Sequence, residues 1–313
     1  MRTLIPFLLV LAMIVPGAAV FAQEQQIEGG PQVLIDFSQL EGTQLDFSEY
    51  PGLLPQGVTD LTVDMSIENW MIELSSSSAS VANRVLSYCK PVVSQQMNGE
   101  VLGARVRFPT APFNAWGKIA PPFSIPFYEE AEGEGEEGGK FLNKGVLRNV
   151  GTIKSVSVRV AGRNFPYGLS LNLADEQAQR REVFMGYLDF DGWRTLTWEN
   201  PNYVTDVKQR DLRKTPMYPQ MMPSIKFDSF YIYRHGSQIG GDFVTYVKDV
   251  QMVYDLAVLR VERDINDEEV WGILQERKEA KRAAEIRRLA ILQILRNKEK
   301  VKMRHAITET PQE

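Results

Sequence analysis

This 313-residue chain reads as mainly β, a β-sandwich or jelly roll followed by a long carboxy-terminal amphipathic α-helix. Short apolar alternations recur from Val33 to Tyr254 with turn residues and no helical period between them, and the period changes abruptly after Asp255. A composition of 43% hydrophobic and 24% charged residues supplies a core of one or two domains and excludes a disordered chain.

Residues Met1–Ala22 stand apart from the folded chain. Arg2, the apolar run Leu4–Val15 and the small-residue end Val20-Phe21-Ala22 follow the order of a secretory signal peptide, so the mature chain is expected to begin near Gln23. No cysteine stands at the cleavage site to take a lipid, and no later segment approaches the length of a membrane span. The expected organisation is a signal peptide over 1–22, a β-sandwich domain over 23–257 with an acidic insertion at 129–139, and a helical arm and tail over 258–313. The lone Cys89 cannot form an intrachain disulfide and is expected to be buried and inert.

The strands follow in order. Val33–Phe37, Leu61–Val63 and Trp70–Leu74 are short β-rich runs, and the serine run Ser75–Ser78 reads as a loop, not a nucleophile. In Val101–Phe108, Leu102, Ala104, Val106 and Phe108 share one face while Gly103, Arg105 and Arg107 take the other, the pattern of a half-buried antiparallel strand. Prolines at 109, 112, 121, 122 and 126 then punctuate a stretch bearing Phe113, Trp116, Phe123 and Phe127, read as a surface segment that covers a sheet edge or docks a neighbouring subunit. Glu129–Gly139 (EEAEGEGEEGG) is a solvated acidic insertion. Alternation resumes at Val156, Val158 and Val160, at Leu169, Leu171 and Leu173, and through Ile225–Arg234 and Phe243–Tyr254.

Met185–Asn202 (MGYLDFDGWRTLTWENPN) is the most feature-dense stretch. It reads as a core hairpin turning at Asp191-Gly192, with Trp193 and Trp198 as core residues; an exposed sugar-stacking platform of Trp193, Trp198 and Tyr203 is the alternative. Past Asp255, Asn266 is placed to cap a helix with Glu269 at its third position, and Ile273, Ala280, Ala284, Ile291, Leu295 and Val301 recur at helical spacing to about Lys302. Between Arg277 and Arg304 there are eleven Lys and Arg against three Asp and Glu, a net +8. The rest of the mature chain carries −14 once the leader's Arg2 is removed from the overall −5. A basic helix on an acidic body suits a protein partner, with Trp271, Arg287 and Ile291 as its candidate contacts beside Trp116 of the proline-rich segment. No nucleic-acid recognition motif accompanies the charge, and the apolar stripe is thin for membrane insertion. Two histidines, His235 and His305, and no spaced ligand cluster give no metal or cofactor site, and no nucleophile elbow or phosphate loop marks an enzyme.

The segments KGVLRNVGTIKSVSVRVAGRNFPYGLSLNL (Lys144–Leu173), MGYLDFDGWRTLTWENPNYV (Met185–Val204), GGDFVTYVKDVQMVYD (Gly240–Asp255) and DINDEEVWGILQER (Asp264–Arg277), with RVRFP and APPFSIP upstream, resemble the spirochaete flagellar filament outer layer family FlaA. The resemblance implies a galactose-binding-like jelly roll with no catalytic residues. It also implies a sheath protein of the periplasmic flagella that assembles around a FlaB-type flagellin core, with other sheath proteins and further copies of itself, to set filament stiffness, curvature and cell motility. A periplasmic carbohydrate-binding module is the competing reading.

Overall fold

The computed structural model describes residues 30–47, 61–128, 139–204, 221–257, 265 and 267–308. The expected signal peptide, the acidic residues 129–138 and the cap position Asn266 lie outside them. Fourteen strands are described: β1 Gln32–Asp36, β2 Gln44–Asp46, β3 Thr62–Asp64, β4 Met71–Leu74, β5 Tyr88–Ser94, β6 Gly99–Phe108 and β7 Ala115–Ala120, then β8 Val146–Arg148, β9 Val150–Arg163, β10 Gly168–Asp175, β11 Arg180–Tyr187, β12 Asp191–Glu199, β13 Ser224–Arg234 and β14 Gly241–Leu256. The helices are α1 Val81–Val85, α2 Asp267–Trp271 and α3 Ile273–Thr308.

The first sheet runs β12-β9-β14-β6-β5 with β1 on the far half of β14. The second runs β11-β10-β13-β7-β4 with β8 on the start of β13, and β2 and β3 form a separate ribbon. All these pairings are antiparallel. Alternation decides which side each strand buries. Leu102, Ala104, Val106 and Phe108 of β6 and Val156, Val158 and Val160 of β9 are at most 1% exposed, as are Leu169, Leu171 and Leu173 of β10 and Phe227, Phe230 and Ile232 of β13. These two sets face each other as the core of a sandwich, whose aromatic part includes Trp70 against Phe37, with ring centroids 5.0 Å apart.

Three sequence expectations are corrected here. Met185–Asn202 is not a hairpin, because β11 lies at the edge of the second sheet and β12 at the edge of the first. Leu188–Phe190 spans the gap between the sheets: three extended residues reach roughly 10 Å, about the separation of packed sheets. Leu188 and Phe190 are 0% and 4% exposed at this corner, where Asn164 N donates to Phe190 O at 2.9 Å. Asp191 opens β12 and ion-pairs with Arg163 at 3.1 Å, and Gly192 (φ 84°) sits within the strand. In turn β12 is an edge strand, so Trp193 and Trp198 are only half-buried.

The proline-rich stretch is not a surface cover. The proline-free residues between Pro112 and Pro121 form β7, which pairs with β13 on one side and β4 on the other, while Phe123, Ile125 and Phe127 are buried. Of its rings Phe113 alone is mostly exposed, at 56%. Finally, the carboxy-terminal helix is interrupted. Gly272 adopts the left-handed region (φ 60°) and closes α2 through Gly272 N to Glu268 O at 2.8 Å. The Glu268 carboxylate then accepts from Leu274 N and Gln275 N at 3.0 and 2.7 Å, capping α3.

Candidate assembly surface

The helix α3 lies on the outer side of the second sheet and presents two apolar rows. The inward row is Leu289, Ala290 and Ile294, 3%, 0% and 2% exposed, with Ile286 half-buried beside it. Among these residues stands Glu285, 9% exposed, whose carboxylate accepts from Phe127 N and Tyr128 N at 2.9 and 3.2 Å and lies 3.7 Å from Lys226 Nζ of β13. Lys226 in turn donates to Ile125 O at 2.6 Å and Ser124 Oγ at 3.2 Å and sits 4.4 Å from the Phe127 ring centroid. Burial pushes the Glu285 carboxyl up and the Lys226 ammonium down, each opposed by the charge of the other. Lys281 reaches Glu176 at 3.1 Å and Arg296 donates to Pro122 O at 2.9 Å, so charged contacts flank the apolar seat on both sides.

The outward row is Ala280, Ala284, Ile291 and Leu295, the middle of the stripe picked out by sequence periodicity; Ile273 at its start is half-buried, and the side chain of Val301 lies outside the described residues. It is not the face that docks. Ile291 and Leu295 are 39% and 54% exposed, adjoining Leu292 at 56%, and Arg287 and Arg288 are exposed between Ala284 and Ile291. Its apolar positions recur at helical spacing along the whole helix, past the interruption at Arg287 and Arg288. The inward row is broken by Glu285, a charge whose partner is distant in sequence, and the Glu-Ile-x-x-Leu-Ala-x-x-x-Ile spacing from 285 to 294 was the available signal.

The other candidate residues are dispersed. Trp193 pairs with Ala161 on the outer face of the first sheet, and Trp198 pairs with Val156 and packs on the core side. Tyr203 donates to Asp255 at 2.9 Å with Lys154 Nζ 5.7 Å from its ring. The three therefore form no shared sugar-stacking surface. Trp116 lies on the outer face of the second sheet against Tyr231, and Trp271 is 66% exposed at the end of α2. Cys89 is buried, and burial pushes its thiol up to about 12. Among the described residues no three His, Cys, Asp or Glu gather where they could hold a metal ion, and no helix is long and apolar enough to cross a membrane.

What this geometry offers is contact: a β-sandwich scaffold with a docked basic helix that shows an apolar row to its surroundings, the build of a protein that works through its surfaces. The chain belongs to the flagellar filament outer layer protein family, FlaA, whose profile matches residues 36–263. It is similar to the flagellar filament outer layer protein of Spirochaeta aurantia, with 41% identity over 92% of this chain and 91% of that one. It is also similar to the Treponema pallidum (strain Nichols) protein of the same name, with 35% identity over 89% and 90%. Among solved structures it is similar to a family 11 carbohydrate-binding module of Clostridium thermocellum, 11% identical over 75% of this chain and 98% of that one, with a TM-score of 0.28. A likeness at that level bears on neither ligand nor role.

Proposed function

We propose that this chain is a non-enzymatic sheath subunit of the periplasmic flagellar filament. Its leader exports it to the periplasm, where the sandwich, residues 23–257, and the helical arm, residues 258–313, assemble around a FlaB-type flagellin core. Other sheath proteins and further copies of the chain complete the layer, which contributes to filament stiffness, curvature and cell motility. Nucleic acid and membrane insertion have no part in this reading.

The observation that carries it is the outward row of α3. Ile291, Leu292 and Leu295 stay exposed although the helix is already docked, and they sit among arginines on a stretch, Arg277–Arg304, of net +8. A partner with an apolar groove and acidic rim complements that row; the basic helix of a second copy would repel it. The test is immuno-gold labelling of filaments purified from the periplasmic space. Label distributed along the filament is expected, and recovery of the protein wholly free of filaments would reject the sheath role.

A further inference from the structure

The outer face of the second sheet carries a second surface, beyond the part crossed by α3. Pairing sets Tyr187, Gly168, Tyr233 and Trp116 side by side across β11-β10-β13-β7, and Phe184, Ser170, Tyr231 and Lys118 in the next row. Their neighbours along these strands, Leu169, Leu171, Phe230, Ile232 and Ile119, fill the core, so these residues point away from it. The rings form two groups on either side of Gly168 and Ser170. Tyr231 and Tyr233 are nearly parallel (18°) at 5.8 Å, Trp116 lies 5.3 Å from Tyr231, and Phe184 lies 5.3 Å from Tyr187. Phe184 and Tyr187 are 47% and 58% exposed. Gly168 makes the arrangement possible, since a Cβ there would stand 2.9 Å from Cε2 of Phe184.

Polar groups frame the rings. Burial raises the Tyr233 phenol above its usual range, and the neighbouring Glu182 carboxylate raises it further. Each cation at the rim is held by a carboxylate, Lys118 by Glu73 at 3.7 Å and Arg180 by Asp228 at 3.2 Å. Asn172, in the next row between Glu182 and Ser229, is 8% exposed, and its Oδ1 has no hydrogen-bond donor.

We propose that this face is a binding platform for a neutral saccharide. Aromatic rings accept the C–H face of a pyranose, while the fixed carboxylates, phenols and amide meet its hydroxyls. Because the rim cations are internally paired, the face gives an acidic polymer no unpaired counter-ion. A protein partner would have to desolvate the Glu182 carboxylate at the border of its contact, where no cation on this face, among the described residues, pairs it.

The experiment is titration calorimetry of the purified full-length chain with cellohexaose, maltohexaose, mannohexaose, xylohexaose and β-1,4-galactohexaose, with hexagalacturonate as the charged control. At least one neutral hexasaccharide is expected to bind. Tyr187→Ala and Trp116→Ala should each weaken it about tenfold or more, about 1.4 kcal/mol. Trp193→Ala, on the opposite sheet, should leave the affinity unchanged, and circular dichroism should show all three variants folded. Failure of every neutral hexasaccharide to bind the folded protein overturns the proposal. So does preferential binding of hexagalacturonate, or binding that survives both platform substitutions. A folded Trp116→Ala variant that loses filament incorporation while no saccharide binds the parent would make the face a protein contact and equally overturn it. Immuno-gold labelling of the parent decides the sheath role separately.

Discussion

Lys226 and Glu285 hold the docked helix through a buried ion pair, and their loss should be strongly non-additive. Removing one partner leaves the other charged in an apolar seat, which costs about 3–5 kcal/mol, whereas replacing both with apolar groups of similar volume is often neutral. Glu285→Leu alone should therefore lower unfolding stability in urea by that amount, and Lys226→Met with Glu285→Leu should recover most of it; a strictly additive cycle would contradict the pairing. A second polar tether joins β1 to β14, where Lys248 Nζ contacts Asp36 Oδ1 at 2.8 Å. Burial works to raise the Asp36 carboxyl, but hydrogen bonds from Lys248 and Ser38 outweigh it and hold the group below its ordinary 3.8. A carboxyl shifted this way adds stability above its ordinary value and loses it as the pH falls through the lowered one. The melting temperature should thus fall more steeply below about pH 4 in the parent than in Asp36→Asn. The tryptophans divide by burial: Trp70, 3% exposed with Nε1 donating to Met65 O at 3.0 Å, should cost about 3–5 kcal/mol as Ala, and half-buried Trp193 clearly less in the same unfolding assay. That division was hidden in the sequence. Both rings stand in β-rich runs, and only the position of a strand in its sheet decides which of its faces is covered.

The strands themselves were legible wherever one face meets the core. Val156, Val158 and Val160 or Leu102, Ala104 and Val106 alternate because every second side chain is excluded from water. Their partners were not legible. Asp191-Gly192 carries the same signal whether it turns a hairpin or opens a strand on a glycine at positive φ, and only the burial of Leu188 and Phe190 between the sheets separates the two. The helix was legible in extent but not in orientation, since both of its rows are apolar at helical spacing and the one that packs is chosen by Lys226 and the Phe123–Phe127 segment. Truncation before Asp264 would uncover that segment and Lys226, so it should lower the melting temperature substantially. The sequence suited the helix to a protein partner; its seat on its own body is a finding of the structure. The aromatic face of the second sheet had one faint sign, the hydroxyl-bearing Tyr231 and Tyr233 at the positions where β13 alternation calls for polar residues.

The charge division seen in composition keeps its meaning in the whole molecule, but part of it is spent internally. Lys281 and Arg296 turn to the body through Glu176 and Glu73, leaving Arg287 and Arg288 beside the outward row. Because those charges are exposed, they should act mainly on association rate and weaken with salt, while the apolar row supplies the salt-insensitive part of the contact. Mass spectrometry of the protein from its host should find an amino terminus near Gln23; an intact Met1 terminus in the cytoplasm would remove the route to the filament. The decisive measurement is filament occupancy of the full-length Ile291→Glu, Leu295→Glu double variant, compared with the parent by quantitative immuno-gold labelling after both have been shown to melt at the same temperature. The outward row should be needed for assembly, so label on the variant's filaments should drop about tenfold or more, as the loss of at least about 1.4 kcal/mol of binding requires. Undiminished labelling by an equally stable variant would contradict the account.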